Sequence, residues 1–489
     1  YIYGNNNVQH LKKRRFGGNR RQEIAKKLLN TFSSSSLCRK ELASQLSTDL
    51  FDAESPLLPR LGTIRKAKSE KRNESRHDSN VVLSLNAMQN CDPWQMIIKN
   101  VGIQPFFIHY WTPDQLRVYN AFVKNERAAK ISLDATGNVV KKIDRPSGLS
   151  RYIFLYLIVI KLPNESEGQI SVAQMLSEAH NTNAIAYWLL EWRRNGALPP
   201  KEIVIDFSMA LINAVCMTFA SCSEGSSMYI QRCMNVLNKS ESYKLPSCFI
   251  RVDIAHVLKF VTRWKVLNGP NIRRRVKEFY VRAIGQLSMA TDLNEAKLII
   301  KNIFIVMLSK DEGQSNNENI PSEDAKQFFV QRFACGIQQS IVNSVVNLQI
   351  QDCTDELETS NNDQEECCLI EIKNWISNIL ILATDFADTS GSRDNLMYLP
   401  KLLTPFKQLC YKLPLWSSIM CSSFGYGNLT ASSASVESHI NELKNRSGIE
   451  KNIRIDDFVK CHSLFLEGSM KLASGLRYFQ NSESNINNE

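Results

Sequence analysis

The chain has 489 residues, of which 43% are hydrophobic and 22% charged, and a formal net charge of +10. This composition is typical of a core-forming protein of two to four domains and excludes a disordered chain. The longest apolar run, 152–160, is far shorter than the roughly 20 residues that cross a bilayer, so we expect no membrane span. Thirteen cysteines without a CxxC pair predict neither a disulfide framework nor a zinc site.

The positive charge lies at one end of the chain. Residues 1–76 hold 17 of the 59 Lys and Arg and 7 of the 49 Asp and Glu, so the remaining residues hold 42 of each sign. Such asymmetry indicates a polyanionic partner, most simply nucleic acid. The basic clusters at 12–15 and 65–72 are also typical of nuclear-import signals, which predicts a nuclear protein.

Residues 1–80 are predicted to form a basic helical arm and a linker, with helices at 19–32 and 37–46. Two short helices joined by a polar turn are compatible with a helix-turn-helix, but the absence of a base-reading signature favours a basic arm that contacts phosphates. The side chains expected to contact DNA here are Lys12, Lys13, Arg14, Arg15, Arg20 and Arg21.

From about residue 100 the pattern becomes that of an α/β protein. Apolar runs bounded by turn residues predict a hairpin followed by further strands, and helical patterns follow the last three of them. This order predicts an open mixed sheet with flanking helices. The predicted strands are 128–135, 138–143, 151–161, 202–207 and 247–256.

Residues 271–415 read as a large all-α segment, interrupted by a plain loop at 311–324 and an acidic loop at 352–366. Amphipathic helices return at 432–448 and 454–476. The predicted organisation is therefore a sheet core split by a helical insertion and ended by a disordered tail. Its parts are 81–270, 271–415, 416–478 and 479–489.

Two aspartates carry the chemical hypothesis: Asp134 is predicted to end the first strand, and Asp206 the fourth. Each alone is compatible with a structural role, since aspartate forms turns and Asp206 precedes a helix as a good N-cap. Together they would meet at one edge of the sheet, where ligands bind in open α/β folds. Two adjacent carboxylates suit Mg²⁺, and a third acid would complete a two-metal site for displacement at phosphorus.

Four stretches in this order resemble the RNase H-like catalytic core of DDE transposases, and among these the Mutator-like elements of the insect foldback-type group. They are SLDATGNVV (132–140), VIDFSMALINAV (204–215), CFIRVDIAHVLKF (248–260) and NLTASSASVESHINELKN (428–445). In that family a helical domain interrupts the core before the last catalytic helix, as residues 271–415 would here.

The resemblance implies that Asp134, Asp206 and Glu437 are the catalytic acids and hold two Mg²⁺ or Mn²⁺ ions. Competing acids follow Glu437 in the chain, namely Glu442 and the pair Asp456 and Asp457. Each of these competitors is interpreted as a solvated surface acid or a helix cap.

The family also has a cysteine–histidine motif after the second acid, which Cys248 and His256 match only loosely. Asp253 and His256 are the better candidates for an auxiliary polar pair. His256 is equally compatible with a role at the metal or DNA and with a satisfied histidine at a helix start. A second basic cluster, Arg273, Arg274 and Arg275, is expected to contact phosphates or to form a solvated face.

The resemblance therefore implies a DDE transposase that cleaves and joins double-stranded DNA at transposon ends as a homo-oligomer. A domesticated DNA-binding protein without cleavage activity is the alternative. A nuclease for RNA–DNA hybrids is a third hypothesis, disfavoured by the long helical insertion and the basic arm.

Overall fold

The structure is a computed structural model, in which the basic cluster at 12–15, the acidic loop and the C-terminal tail lie outside the described residues. Lys12, Lys13, Arg14 and Arg15 are therefore not placed. The described residues are 16–30, 34–45, 57–74, 76–145, 148, 150–162, 169–239, 244–334, 369–427, 431–449 and 452–473.

A seven-stranded mixed sheet organises the chain, with the strand order β1-β2-β5-β4-β3-β6-β7. β3, β6 and β7 run parallel to one another, and the other neighbours pair antiparallel. The predicted mixed α/β fold is confirmed. The strands are β1 Ile98–Ile103, β2 Phe106–Tyr110, β3 Lys130–Thr136, β4 Phe154–Lys161, β5 Gln169–Ser177, β6 Glu202–Ile205 and β7 Phe249–Val252.

Helices precede the sheet, cover both of its faces and continue beyond it. The first two of them confirm the helices predicted in the basic arm. Their bounds are α1 Gly18–Asn30, α2 Ser35–Ser44, α3 Leu61–Glu74, α4 Val81–Gln89, α5 Pro113–Asn125, α6 Thr182–Arg194, α7 Met209–Phe219, α8 Ser226–Leu237, α9 Ile254–Thr262, α10 Arg274–Leu287, α11 Leu293–Leu308, α12 Pro321–Ala334, α13 Ile370–Ala387, α14 Leu403–Cys410, α15 Leu413–Trp416, α16 Ala434–Asn445 and α17 Ile455–Ala473.

The two faces of the sheet carry separate hydrophobic cores, because successive side chains of a strand point to opposite faces. On β3, Ile131 and Leu133 belong to the core shared with α5, α6 and α7. Ser132 faces the other side, where its hydroxyl lies 3.0 Å from that of Ser435 on α16. The same alternation places Asp134 on the side of α16 and α17, and this decides which helix reaches the candidate site.

The apolar run at 152–160 forms β4, a central strand, as predicted. None of the described helices combines the length and the hydrophobicity that crossing a membrane would require.

The structure corrects one predicted strand and adds three that were not predicted. Residues 138–143 do not form the second arm of a hairpin; after Asn138, whose φ is +62°, Val140 makes only an isolated bridge to Ile453. β4 instead pairs with β3. β1 and β2 were not predicted, and neither was β5, because its apolar run leads directly into the pattern of α6 and hides the boundary between them.

The segment 311–324, predicted as a plain loop, contains short strands. Gln314–Ser315 pairs with Glu318–Asn319 around Asn316 and Asn317, both of which have positive φ, as a two-residue hairpin turn requires. Asp311–Glu312 pairs with Arg393–Asp394. The region 271–415 is thus mainly helical among its described residues, but it is not all-α.

Candidate active site at the edge of the sheet

The strand register brings three acids to one level of the sheet. Leu133 of β3 lies beside Ile205 of β6, so the next residues, Asp134 and Asp206, are also neighbours. Ile205 lies beside Val252 of β7, which puts Asp253 on the far side of Asp206. Asp206 directly follows its strand, whereas Asp134 is the fifth residue of a seven-residue strand. The prediction that Asp134 ends its strand is therefore wrong by two residues.

The carboxyl groups of Asp134 and Asp206 lie side by side and influence each other's ionisation. Burial, followed by the neighbouring charge of Asp134, raises the pKa of Asp206 to about 8. Burial also raises the pKa of Asp134, although the amide of Ala135 donates a hydrogen bond of 2.6 Å to its Oδ1. Two carboxylates buried side by side repel each other, which favours the state in which one of them carries a proton. The pair thus retains a proton at a pH where solvated aspartates are ionised.

His256 joins the pair of aspartates to Glu437. Its Nε2 lies 3.0 Å from Oε1 of Glu437, on the first turn of α16, and 3.3 Å from Oδ1 of Asp206. Burial lowers the pKa of His256, but Glu437, Asp206, Asp253 and Asp134 together outweigh this effect and raise it to about 9. The imidazolium therefore lies between Glu437 and the pair of aspartates. His256 lies in the first turn of α9 and its ring is satisfied by these acids, so the contact fits a satisfied helix-start histidine as well as a residue that supports a metal or DNA site.

Asp253 is buried and bridges two helices that carry site residues. Its Oδ1 accepts a hydrogen bond of 2.6 Å from the amide of Ala255 and so caps α9, which carries His256. Its Oδ2 accepts hydrogen bonds from both the amide and the hydroxyl of Ser433, directly before α16, which carries Glu437. Sequence reasoning missed Ser433, for which the only signal was the run of small residues before Glu437.

The acids that compete with Glu437 are occupied elsewhere or exposed. Asp456 is fully buried. It forms an ion pair with Arg454 and accepts a hydrogen bond of 2.7 Å from the hydroxyl of Ser84. Asp457 is buried against Arg76. Of the two predicted roles, that of a solvated surface acid is therefore wrong for both, because they hold α17 to α4 and its N-terminal neighbours. Both do lie in the first turn of α17, where Asp456 accepts a hydrogen bond from the amide of Asp457. Glu442 is exposed on α16, as predicted.

The described basic residues differ in their surroundings. Arg20, Arg273, Arg274 and Arg275 are exposed, and Arg274 forms an ion pair of 2.7 Å with Glu278 one turn along α10. Arg21 pairs with Glu70 of α3, so part of the positive charge of the arm is used within it. Cys248 is fully buried in the hydrophobic core.

The chemistry of the site suits a hard divalent cation, but its side chains are not arranged to hold one. Oδ1 of Asp206 is buried and receives no well-directed hydrogen bond, and carboxylate oxygens are the ligands that Mg²⁺ prefers. Within the described ranges, however, no three Asp, Glu, His or Cys side chains lie close enough together to hold an ion. Glu437 is turned to His256, so a cation at the two aspartates would gain Glu437 only by displacing that contact.

A curated protein of Drosophila melanogaster, described as the 120.7 kDa protein in NOF-FB transposable element, is 34% identical to the chain over 482 residues. The chain is related to a protein of a transposable element. The alignment covers 95% of this chain and 43% of that relative, so the chain spans less than half of the relative's length. No family model matches the chain.

The contact between His256 and Glu437 predicts a measurable shift in titration. Replacing Glu437 with Gln removes a charged partner, so we expect the pKa of His256 to fall from about 9 by roughly one unit or more. In the unchanged chain this histidine stabilises the fold fully below its unfolded pKa of about 6.5, and the contribution is lost as the pH rises through 9.

NMR titration of the histidine Cε1 protons measures this pKa, and the signal is assigned with His256→Gln. Glu442→Gln, a matched change on the exposed side of α16, leaves the titration unchanged. An equal pKa in the unchanged chain and in Glu437→Gln contradicts the contact.

Proposed function

We propose that this protein is a transposon-derived DNA transposase of the DDE type, built on an RNase H-like core. The observation that carries the proposal is the parallel register of β3 and β6, which makes Asp134 and Asp206 neighbours at the edge reached by Glu437. The relationship to a protein of a transposable element supports the same function. The proposed catalytic acids are Asp134, Asp206 and Glu437.

In the proposed mechanism these three acids hold Mg²⁺ or Mn²⁺, with two ions expected. Bound there, the cations would lower the pKa of a water or a 3′-hydroxyl and stabilise the charge that develops on the phosphate. Asp134 and Asp206 would hold a cation as carboxylates, so binding would release the extra proton that their burial favours. Glu437 would join them only by giving up its contact with His256, whose ring could then donate a hydrogen bond to a phosphate oxygen of the DNA.

The proposed partner is double-stranded DNA, both at the ends of the element and at the target. The exposed arginines of α1 and of the start of α10 are the described residues that we assign to phosphate contacts, and such contacts position the duplex without reading its sequence. Pairing two element ends implies a homo-oligomer, and the site of action is the nucleus. These proposals rest on two features of one chain, namely the acids at the edge of the sheet and the basic arm.

The test is a cleavage assay on a plasmid that carries the terminal sequences of the element encoding this chain. We expect strand cleavage that leaves 3′-hydroxyl ends with Mg²⁺ or Mn²⁺ and no cleavage with a chelator. An RNA–DNA hybrid of the same sequence serves as the competing substrate. Preferential cleavage of the hybrid would assign the site to a hybrid nuclease, and DNA binding without cleavage would favour the domesticated protein.

A further inference from the structure

A cavity of about 300 Å³ opens at the same end of the sheet as the acids, on the face covered by α6. β2 and β5 form its floor, since Phe107 pairs with Ser177 and His109 with Met175 across these strands. Tyr187 of α6 forms its wall. A cavity of this size holds a small organic ring system rather than a peptide or a helix.

The wall of the cavity is aromatic. The rings of Phe107 and His109 stack with centroids 4.7 Å apart, and Tyr187 meets Phe107 edge-on at 5.8 Å. Asn100 donates a hydrogen bond of 2.7 Å to the Tyr187 hydroxyl and fixes the ring, although 43% of Tyr187 remains exposed. An exposed aromatic ring held in place at a cavity mouth is suited to stack on a flat ligand.

The polar groups of the cavity favour a ligand that donates hydrogen bonds. His109 is 1% exposed, and its Nδ1 pairs with Glu191. Burial lowers the pKa of His109 more than Glu191 raises it, so the ring is neutral near pH 7, its Nδ1 proton goes to Glu191, and Nε2 is an acceptor. The exposed amide of Asn183 at the mouth makes no hydrogen bond to any other described residue and can both donate and accept, so the preference for a donating ligand comes from His109.

The cavity lies at the same end of the sheet as the candidate active site but on the opposite face from Asp134, so a DNA strand held there reaches it by passing over the ends of the strands. From β3 the sheet continues with β4, β5 and β2. At about 4.8 Å between neighbouring strands, the midpoint between β5 and β2 lies roughly 12 Å from β3. This corresponds to about three to four nucleotides at the rise of a duplex strand. His180 fills the space between: its Nδ1 lies 3.1 Å from the hydroxyl of Tyr156, and Tyr156 neighbours Asp134 closely enough to be affected by its charge.

We propose that this cavity takes one unstacked nucleobase of the bound DNA strand, and that it prefers a base with an exocyclic amino group. The base stacks against Tyr187 and Phe107, and its amino group donates to Nε2 of His109. The inference rests on the proposed function, since it is the strand at Asp134 and Asp206 that brings the base within reach.

The test is photochemical cross-linking of the full chain to short single-stranded oligonucleotides, with Ca²⁺ present. One oligonucleotide carries 5-iododeoxycytidine, whose base has an amino group, and the other carries 5-iododeoxyuridine, whose base does not. We expect the cytosine probe to cross-link to Phe107 or Tyr187, as mapped by mass spectrometry, and the uracil probe to do so more weakly.

Two variants change the cavity in opposite ways. Tyr187→Ala removes the stacking wall, and Ala184→Phe fills the space, so each is expected to abolish the cross-link and to weaken oligonucleotide binding about five- to 100-fold. Tyr398→Ala is the matched control, since Tyr398 is 39% exposed and lies in the mainly helical region. Unchanged melting temperatures show that the variants fold.

The outcomes separate the two proposals. Metal-dependent cleavage together with cross-links that map outside the cavity would overturn the proposal that the cavity binds a base. The proposed transposase function would stand. Equal cross-linking of both probes at Tyr187 overturns the preference for an amino group. Absence of both cleavage and oligonucleotide binding overturns the proposed function and the cavity with it.

Discussion

Asp206→Asn is expected to lose metal-dependent strand cleavage by about 10³-fold or more, while the variant unfolds at a higher temperature than the unchanged chain when no cation is present. The loss follows because an amide is a poor ligand for Mg²⁺ and cannot replace the negative charge of a carboxylate. The higher unfolding temperature follows because the substitution removes one of two carboxyl groups that are buried side by side. Active sites commonly exchange stability for function in this way.

The stability difference should depend on pH with a definite sign. In the folded chain the pKa of Asp206 is raised to about 8, against about 3.9 for an unfolded aspartate. Between these values the folded state binds the extra proton, so its stability falls as the pH rises. The advantage of Asp206→Asn is therefore absent below pH 4 and grows between pH 4 and 8, by at most about 1.4 kcal/mol per pH unit.

Thermal unfolding at pH 5 and pH 8 with a chelator, and cleavage assays at pH 8 with Mg²⁺, measure the two effects on the same preparations. Glu442→Gln is the control, because it removes an exposed acid and is expected to change neither quantity. Added Mn²⁺ should stabilise the unchanged chain and not Asp206→Asn, since a ligand stabilises only the state that binds it. A variant that is less stable at pH 8, or that still cleaves, would show that Asp206 has a structural rather than a catalytic role.

The paired aspartates could be predicted because the information is local. Apolar β runs followed by an acid are visible in KISLD and EIVID, and parallel strands that neighbour each other bring equivalent positions together. The structure shifts Asp134 two residues inside its strand without changing its neighbour. Glu437 came from the resemblance, because a residue on a distant helix is fixed by long-range packing that periodicity does not record.

The features of the fold and of the site that the sequence did not predict depend on contacts between distant parts of the chain. β1 and β2 form an edge hairpin that carries little alternation, and the cavity near Tyr187 arises only when α6 lies over β2 and β5. The link between Asp253 and Ser433 spans 180 positions. In the sequence Asp253 looks like any aspartate before a helix, which is indeed one of its two roles.

Asp253→Ala is expected to lower the free energy of unfolding by about 2–4 kcal/mol and to impair cleavage without touching the reacting phosphate. The stability loss combines the cap of α9 with the amide of Ser433, a buried donor that would lose its acceptor. Asp253→Asn should be nearly as harmful, because donors approach both carboxylate oxygens and an amide can accept only at one of them. Ser433→Ala keeps the amide contact and should cost only about 1 kcal/mol.

A positioning role can be separated from general destabilisation by the dependence of cleavage on Mg²⁺. If Asp253 aligns α9 and α16, its loss misplaces Glu437 relative to Asp206, so the Mg²⁺ concentration for half-maximal cleavage rises. Simple unfolding reduces the amount of active protein and leaves that concentration unchanged. Measuring the Mg²⁺ curve for Asp253→Asn well below its melting temperature distinguishes the two. A shift of several-fold, largely absent in Ser433→Ala, would establish that one buried carboxylate sets the distance between the third acid and the first two.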